Sequence, residues 1–393
     1  MQEFDKKKKI AFVLTTFVVG GVEKSFLDLL DSIDPNICEV TVFLPDNKGE
    51  WTSLLEEKCK VKYLKIENFK TVFLSQIYSG FIFSAFRSLF YRLLAKLNYR
   101  KHYRKSTEYF IRSMPRVKEK FDCAIAYQII NDDCVLGTLF RINAPKKAVW
   151  SHSYINKQET LYGKWYDRFD KLFCVSEFAK KALIDNFPVL SDKTEVFYNI
   201  INPNRILELS KKQIDEKIDN SYTTIVTVGR LSKEKGQDKI PRTVRLLIDA
   251  GYSVKWYLVG DGALREEIQK KVIEEQVKDN VIFVGNKNNP YPYISACDIY
   301  VQTSLVEGWG LTVSEAKVLQ KPIVTTDAGA MSEQIQNGFN GLIVPEITSE
   351  ALAKGISQLI EHPEECEAFM HQLQNEDVCH QGELEKLYIF ASV

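Results

Sequence analysis

The chain has 393 residues, with 52 basic and 52 acidic side chains, 45% hydrophobic residues and 26% charged residues. This composition is typical of a soluble globular protein and excludes a collagen-like or wholly disordered chain. The chain is longer than a typical single domain with one hydrophobic core, so its length favours two domains. The charge is unevenly spread, because residues 1–200 carry 32 basic and 24 acidic side chains whereas residues 201–393 carry 20 and 28. Nucleic-acid-binding proteins are usually basic overall, so we expect an anionic partner for the first half but no nucleic acid.

The eight cysteines include no C-x-x-C pair, and most lie within apolar runs. This pattern favours reduced core cysteines in a cytoplasmic protein rather than disulfides or a zinc site. The polar, lysine-rich N-terminus, residues 1–9, is unlike a signal peptide. Since no stretch supplies about 20 uninterrupted apolar residues, we expect no transmembrane helix.

The first half alternates short apolar runs with helical patterns. Lys9–Thr15 is a predicted strand, Gly20 and Gly21 form a turn, and an amphipathic helix follows, which is how a doubly wound sheet begins. Further strands are predicted at Val40–Leu44, Lys60–Leu64, Phe121–Tyr127, Lys147–Trp150 and Leu172–Ser176.

Residues 68–120 form a basic, aromatic-rich insertion with twelve Lys or Arg and two acidic residues. Five apolar side chains recur at helical spacing, namely Phe83, Phe86, Phe90, Leu93 and Leu97. A basic amphipathic helix of this kind is typical of peripheral binding to an anionic membrane surface, here the inner face of the cell membrane. The alternative is a helical flap whose apolar face packs on the first domain.

The second half repeats the alternation after a polar stretch at residues 208–222, where we place the linker. Predicted strands follow at Thr223–Gly229, Val254–Val259, Val281–Val284, Ile299–Gln302, Pro322–Thr326 and Gly341–Val344. Strands alternating with helices in both halves predict two α/β domains with parallel sheets.

The segment from Glu307 to Glu315, E-G-W-G-L-T-V-S-E, directly follows one of these strands. Two carboxylates flank a Gly-x-Gly turn, and the pattern from Leu311 onward is helical. The first N–H groups of a helix lack intrahelical partners, so such a turn can hold phosphates. The carboxylates can accept hydrogen bonds from sugar hydroxyls. The alternative is a loop acid and a surface helical glutamate without a ligand.

This segment resembles the Glu-x7-Glu signature of glycosyltransferase family 4. Four other segments match motifs of that family in the same order: Gly20–Lys24, Gly229–Gly236, Gly260–Gly262 and Asn337–Pro345. The resemblance implies the GT-B fold, in which two Rossmann-like domains with parallel sheets face each other across a deep cleft. Residues 1–203 are then the acceptor-binding domain, residues 204–365 the nucleotide-sugar-binding domain, and residues 366–393 a C-terminal helical tail.

The resemblance also implies roles for individual residues. Arg230 and Lys235 bind the donor's diphosphate, where cations stabilise the departing negative charge. Glu307 contacts the transferred sugar, and Glu315 accepts hydrogen bonds from the ribose hydroxyls. The other implied donor-binding residues are Gly20, Gly21, Gly308, Trp309, Gly310, Leu311 and Thr312.

His152 follows a predicted strand end, where α/β sheets place ligand groups. The matching histidine of the family lies beside the donor sugar, so the resemblance implies a catalytic hydrogen bond, with a purely structural histidine as the alternative. The chain has no Asp-x-Asp triplet of the kind that holds a metal ion in other glycosyltransferases. We therefore expect neither a metal nor another cofactor.

These patterns and the resemblance predict a retaining, metal-independent glycosyltransferase. It transfers a sugar from a nucleotide-sugar to a lipid-linked glycan in capsule or exopolysaccharide synthesis. We expect a UDP-sugar as the donor, with a GDP-sugar as the alternative. Three alternatives stay open: a nucleotide-sugar epimerase of the same architecture, a catalytically silent binding subunit of a partner transferase, and a transferase acting on a protein acceptor.

Overall fold

A computed structural model describes residues 7–64, 82–98, 103–155, 163–214, 218–219 and 221–392. They form two compact units. The first comprises the described parts of Met1–Val175 and Gly382–Val393 together with Ala179–Tyr198, and the second comprises Ser176–Phe178 and the described parts of Asn199–Gln381. Within these residues, no helix combines the length and apolarity needed to cross a bilayer.

The first unit is built on a parallel sheet. Its strands are β1 (Lys8–Val13), β2 (Cys38–Leu44), β3 (Lys60–Tyr63), β4 (Cys123–Ala126), β5 (Lys146–Ser151), β6 (Lys171–Cys174) and β7 (Thr194–Val196). The helices of this part of the chain are α1 (Gly21–Ser32), α2 (Thr52–Lys58), α3 (Ile82–Asn98), α4 (Tyr103–Ser113), α5 (Asp132–Phe140), α6 (Gly163–Tyr166) and α7 (Glu177–Asn186). The strand order is β3-β2-β1-β4-β5-β6-β7.

Aromatic side chains fill the core beside β1 and β4 of this sheet. Phe12 on β1 meets Phe26 on α1 with ring centroids 5.1 Å apart, and Tyr127 lies 4.9 Å from Phe26. All three side chains are almost completely buried. Edge-to-face packing of this kind adds to the stabilisation from burial alone.

A helix from the far end of the described chain completes the first unit. This helix, α16 (Leu384–Ala391), contacts β1 and buries Leu387 fully. The Tyr388 hydroxyl accepts a hydrogen bond from the backbone N–H of Asp34 at 3.0 Å, and the Phe390 ring lies 5.9 Å from the Phe173 ring. Residues more than 350 positions apart in sequence therefore share one core.

The second unit repeats the architecture. Its strands are β8 (Thr223–Val228), β9 (Val254–Val259), β10 (Val281–Gly285), β11 (Ile299–Gln302), β12 (Ile323–Thr326) and β13 (Leu342–Val344), in the order β10-β9-β8-β11-β12-β13. The helices are α8 (Pro203–Ser210), α9 (Ile240–Asp249), α10 (Arg265–Glu274), α11 (Tyr291–Ala296), α12 (Leu311–Val318), α13 (Met331–Gln334), α14 (Ser349–Glu361) and α15 (Pro363–Gln374).

The fold class predicted from the sequence is confirmed, since both described sheets are parallel and both units are Rossmann-like. The twelve predicted strands are all present, with ends within two residues of the predicted ones. They could be predicted because strands buried on both faces are nearly continuous apolar runs. Residues 68–81 and 99–102 of the predicted insertion lie outside the described residues.

Helix α3 presents an apolar face to solvent. Phe86, Phe90, Leu93 and Leu97 are between 57% and 68% exposed, and their spacing places them on one side of the helix. Ser88 and Ala95, on another side, are buried. The described side chains of the predicted stripe are thus exposed rather than packed on the first unit, and the Phe83 side chain lies outside the described residues. We call these four exposed residues the α3 apolar face.

The sheet order determines which loops can form a site. In doubly wound sheets, ligands bind beyond the carboxyl ends of strands where the strand order reverses. In the second unit this position lies between β8 and β11, so the loops after these strands are neighbours. In the first unit it lies between β1 and β4, next to β5.

A close backbone approach at Gly260 generates a prediction about stability. Gly260 follows β9 with φ +144°, and a Cβ there would overlap the Gly229 carbonyl group. Gly251 has φ +93° with open space around its Cβ position. Alanine strains the backbone at both sites by roughly 1–3 kcal/mol, but only Gly260→Ala must also displace backbone. We expect Gly260→Ala to lower the melting temperature clearly more than Gly251→Ala when both are followed by circular dichroism. Equal losses would contradict the importance of the close approach.

Candidate active site

The loop after β8 contains both predicted phosphate-binding cations, Arg230 and Lys235. Arg230 is exposed directly after the strand end, and its carbonyl oxygen accepts a hydrogen bond from the Gln237 side chain at 2.9 Å. The Ser232 hydroxyl, aided by the positive charges of Lys235 and Arg230, lowers the pKa of Glu234. The two cations therefore lie near the same surface carboxylate.

Lys235 forms an ion pair with the first glutamate of the motif. Its Nζ lies 2.5 Å from Oε1 of Glu307, whose side chain is 8% exposed compared with 27% for Lys235. The same oxygen accepts hydrogen bonds from Ser304 Oγ at 2.6 Å and from Gln302 Nε2 at 3.0 Å. Three donors on Oε1 hold the carboxylate in place and leave Oε2 outside this network.

Gln302 links Glu307 to the interior of the sheet. Its Oε1 accepts hydrogen bonds from the Tyr300 hydroxyl at 2.8 Å and from the Thr312 hydroxyl at 3.3 Å. Burial, together with the nearby carboxylates of Glu315 and Glu307, raises the pKa of Tyr300 well above its usual value. The phenol therefore stays protonated and donates, which fixes the orientation of the Gln302 amide.

The Gly-x-Gly turn leads into α12. Gly310 has φ +86°, which glycine adopts readily, and a Cβ there would overlap the Met331 side chain. The indole N–H of Trp309 donates to Ser314 Oγ at 3.1 Å, and Ser176 Oγ donates to the carbonyl oxygen of Gly308 at 2.6 Å. The turn is thus held on both sides, and Leu311 and Thr312 supply the first N–H groups of the helix.

Glu315, the second glutamate of the motif, lies one turn into α12 and is 1% exposed. The negative charge of its carboxylate contributes to raising the pKa of Tyr300, as does the charge of Glu307. The second unit thus brings together the predicted residues Lys235, Glu307 and Glu315. It also places Gly308, Trp309, Gly310, Leu311 and Thr312 on the turn that joins the two glutamates.

The remaining predicted residues lie in the first unit. Gly20 precedes α1 in an extended conformation, and a Cβ at this position would lie only 2.5 Å from Oε2 of Glu23. Gly21 is the first residue of α1. Both lie where the loop after β1 meets α1, at the strand-order reversal.

His152 follows β5 in the same unit. Its ring lies 4.4 Å from the Tyr127 ring and bonds to the Tyr127 backbone, while Nε2 is buried without a hydrogen-bond partner among the described residues. Burial lowers the pKa of His152 to about 3. Because the other ring nitrogen donates to the Tyr127 backbone, Nε2 of the neutral imidazole can accept a hydrogen bond, whereas the ring is poorly suited to donating a proton at neutral pH.

Sequence reasoning missed Gln302, Ser304 and Gln334. Gln302 and Ser304 are buried polar residues at the end of an apolar strand, and this is the signal that could have identified them. Gln334 donates to the carbonyl oxygens of Trp309 and Gly310 and accepts from Ser314 Oγ at 2.7 Å. Its role could not be predicted because it depends on packing between α13 and α12.

The sequence predicts reduced cysteines and no metal site. All eight cysteines are free, and Cys38, Cys123, Cys134, Cys174 and Cys297 are buried. In the described ranges, no three His, Cys, Asp or Glu side chains are arranged to hold a metal ion. Metal independence stays a prediction.

Comparison with known proteins identifies a family match within the second unit and a structural similarity over nearly the whole chain. The family model "Glycosyl transferases group 1" matches residues 210–375. The Campylobacter jejuni N-acetylgalactosamine-N,N'-diacetylbacillosaminyl-diphospho-undecaprenol 4-alpha-N-acetylgalactosaminyltransferase is 28% identical over 213 residues, which are 53% of this chain and 55% of that protein. The Staphylococcus aureus capsular polysaccharide biosynthesis glycosyltransferase CapM is 26% identical over 157 residues, 39% and 41% of the two chains. The chain spans about half the length of the curated relatives it matches.

Among solved structures, HepE of Anabaena in complex with UDP is similar over nearly its whole length. The TM-score is 0.71 at 18% identity, with 96% of this chain and 99% of HepE covered. HepE has also been solved with UDP-glucose. At this identity the likeness establishes the shared fold, which is GT-B.

The buried histidine generates a prediction about pH. The unfolded chain protonates His152 near its ordinary pKa of 6.5, whereas the folded state stays neutral down to about pH 3. The stability linked to His152 is therefore fully present above pH 6.5 and decreases below it, by up to about 1.4 kcal/mol per pH unit. We expect the melting temperature of His152→Gln to fall less than that of the wild type between about pH 7.5 and about pH 5.

His362→Gln is the matched control for this measurement. A hydrogen bond to Glu364 raises the pKa of the exposed His362, so its small contribution is present at low pH and is lost as pH rises. Its replacement should not reduce the acid-induced loss. Parallel pH profiles for wild type and His152→Gln would show that the imidazole is solvated rather than buried.

Proposed function

We propose that this chain, which has the GT-B fold and matches the group 1 glycosyl transferases over residues 210–375, is a retaining glycosyltransferase that uses a UDP-sugar. The observation that carries the proposal is the Lys235–Glu307 ion pair at the carboxyl end of the second sheet. A fixed carboxylate next to a lysine and a helix N-terminus can bind a sugar beside a diphosphate. The complexes of HepE with UDP and UDP-glucose support a uridine donor.

Donor binding begins with an exchange of partners at Lys235. A diphosphate carries about two negative charges and attracts the lysine away from Glu307. Glu307 keeps its position because Ser304 and Gln302 still donate to Oε1. Its carboxylate is then available to a sugar hydroxyl, while Arg230 and the first N–H groups of α12 complete the diphosphate site.

In the transfer step, the bond between the anomeric carbon and the phosphate oxygen breaks. The bond to the acceptor oxygen forms on the same face of the sugar, and the departing phosphate oxygen takes the acceptor's proton. Arg230 and Lys235 stabilise the charge that accumulates on the diphosphate, so the scheme needs no metal ion. The role of His152 at the sugar stays a prediction, and a neutral imidazole suits a hydrogen-bonding role.

For the acceptor we propose a lipid-linked glycan of a cell-surface polysaccharide, reached at the membrane surface. The name of the Campylobacter relative specifies a diphospho-undecaprenol acceptor, and CapM is named for capsule synthesis. The α3 apolar face and the exposed Arg87 and Lys96 beside it support binding to an anionic membrane.

The donor proposal predicts a thermal shift. At about a hundredfold excess over its dissociation constant, a bound ligand stabilises by about 2.7 kcal/mol, which raises the melting temperature by several degrees. We expect this shift for one nucleotide-sugar in a panel of UDP- and GDP-sugars, and we expect it to be lost in Arg230→Ala and Glu315→Ala. Arg242→Ala removes an exposed arginine on α9 and should keep the shift.

Two results would contradict the donor proposal. An unchanged shift in both site variants would place the nucleotide elsewhere, and no shift with any donor would favour the silent binding subunit. Slow release of UDP without an acceptor separates these cases further, because a binding subunit hydrolyses no donor.

The membrane proposal predicts sedimentation with vesicles. Phe90→Ser/Leu97→Ser removes two side chains of the α3 apolar face that are 58% and 68% exposed. We expect this variant to bind vesicles of phosphatidylcholine and phosphatidylglycerol much more weakly than the wild type does, because membrane affinity scales with buried apolar area. Val189→Ser/Ile273→Ser removes side chains that are 74% and 69% exposed elsewhere and should bind normally. Equal binding by all three proteins would contradict the proposal.

A further inference from the structure

A pocket lined by four arginines lies beside α3 in the first unit. Its volume is about 240 Å³, and Arg87, Arg112, Arg116 and Arg168 line it. These residues come from α3, α4, the segment after α4 and the segment after α6. Like charges around one small space repel each other, and an anion in the space would relieve that repulsion.

Aromatic rings and one carboxylate hold the inner arginine in position. The Arg112 guanidinium lies 4.3 Å from the Phe140 ring centroid and 5.1 Å from that of Trp165, and Glu108 pairs with it at 3.0 Å. Its Nε is buried without a hydrogen-bond partner among the described residues. Arg112 is thus a preorganised donor group, as stacked guanidinium groups are where phosphates are recognised.

The outer arginines supply unneutralised charge. Arg116 and Arg168 are exposed, and no ion pair involving either is found among the described residues. Burial, reinforced by these two positive charges, lowers the pKa of Lys147 to about 8. Three acids lie near these cations in the described residues. Glu108 pairs with Arg112 and Lys164, Asp170 accepts from the Lys147 backbone at 2.7 Å, and Asp167, next to Arg168 in the chain, pairs with Lys193. The cations therefore outnumber the acids around the pocket.

The pocket adjoins the α3 apolar face. Arg87 and Tyr91 line the pocket, and each directly follows a residue of that face, Phe86 or Phe90. A molecule that combines a phosphate with long apolar chains matches both surfaces: the phosphate meets the arginines while the chains lie on the helix.

We propose that this pocket binds the phosphate headgroup of a membrane lipid whose chains lie against the α3 apolar face. The inference deepens the proposed membrane association and rests on it, because it names the group that the first unit recognises. Affinity then depends on the two exposed arginines at the pocket rim and not only on the overall charge of the surface. Arg116 and Arg168 are the exposed rim residues. Arg168 also lies 5.3 Å from the ring centroids of both Phe140 and Trp165, the rings that Arg112 contacts, whereas Arg112 keeps its own ring contacts and its Glu108 partner when the rim residues are replaced.

The test measures binding of the full chain to phosphatidylcholine vesicles with and without phosphatidylglycerol, in the absence of any nucleotide-sugar. We expect Arg116→Gln/Arg168→Gln to bind the anionic vesicles at least about tenfold more weakly than the wild type. Lys48→Gln/Lys181→Gln removes the same charge from exposed lysines outside the pocket and should bind within about twofold of the wild type. Arg116→Lys/Arg168→Lys keeps the charge but loses the bidentate geometry, and we expect partial loss.

Three outcomes would overturn the proposal. Equal weakening by the arginine and lysine double variants would show that only overall charge matters. Normal binding by Arg116→Gln/Arg168→Gln would show that the pocket is not used. If inorganic phosphate raised the melting temperature through these arginines while vesicles bound independently of them, the pocket would be a site for a soluble anion.

The donor-induced thermal shift, measured on the same variants, separates this proposal from the proposed function. A retained shift in Arg116→Gln/Arg168→Gln shows that the chain is folded and that the donor site is intact. A loss of vesicle binding can then be assigned to the pocket. A missing donor shift in the wild type would instead count against the transferase proposal and leave the vesicle result to be judged on its own.

Discussion

One oxygen atom organises the candidate site of the second unit. Oε1 of Glu307 accepts hydrogen bonds from Lys235, Gln302 and Ser304, which lie on two different chain segments, after β8 and at the end of β11. A carboxylate that is largely withdrawn from water needs such donors, because an unpaired buried charge is very costly. The parallel pairing of β8 with β11 is what brings the segments together. Sheet order, loop conformation and the charge of the site are thus parts of one arrangement.

Much of this arrangement could be predicted from the sequence, and the limits have physical reasons. The strands are short apolar runs, and the Glu307–Glu315 motif directly follows one of them, so its position at a sheet edge could be predicted. The hydrogen bonds of Gln302 and Gln334 could not be, because they depend on which strands and helices become neighbours. The pocket is a clearer case: Arg87, Arg112 and Arg116 belong to a recognisable basic stretch, but Arg168 joins them only through the fold.

The two units handle positive charge in different ways. In the second unit, Lys235 is neutralised by a carboxylate that a ligand can replace. In the first unit, Arg112 is held by aromatic faces as well as by Glu108, and Arg116 and Arg168 are exposed. An ion pair whose carboxylate a diphosphate can displace suits the proposed donor, which would bind and leave in each catalytic cycle. The rings and the carboxylate that hold Arg112 belong to the protein and are present with or without an anion, which suits the proposed attachment to a lipid.

The return of α16 to the first unit has a consequence for how the protein is made. The early part of the chain emerges from the ribosome first, and domains generally begin to fold in that order. The first unit nevertheless receives the hydroxyl of Tyr388 and the ring of Phe390 only after the whole second unit has been synthesised. During translation, part of the core of the first unit therefore stays exposed to water. The apolar surface that α16 covers in the folded protein can contact other nascent chains until residue 391 has emerged.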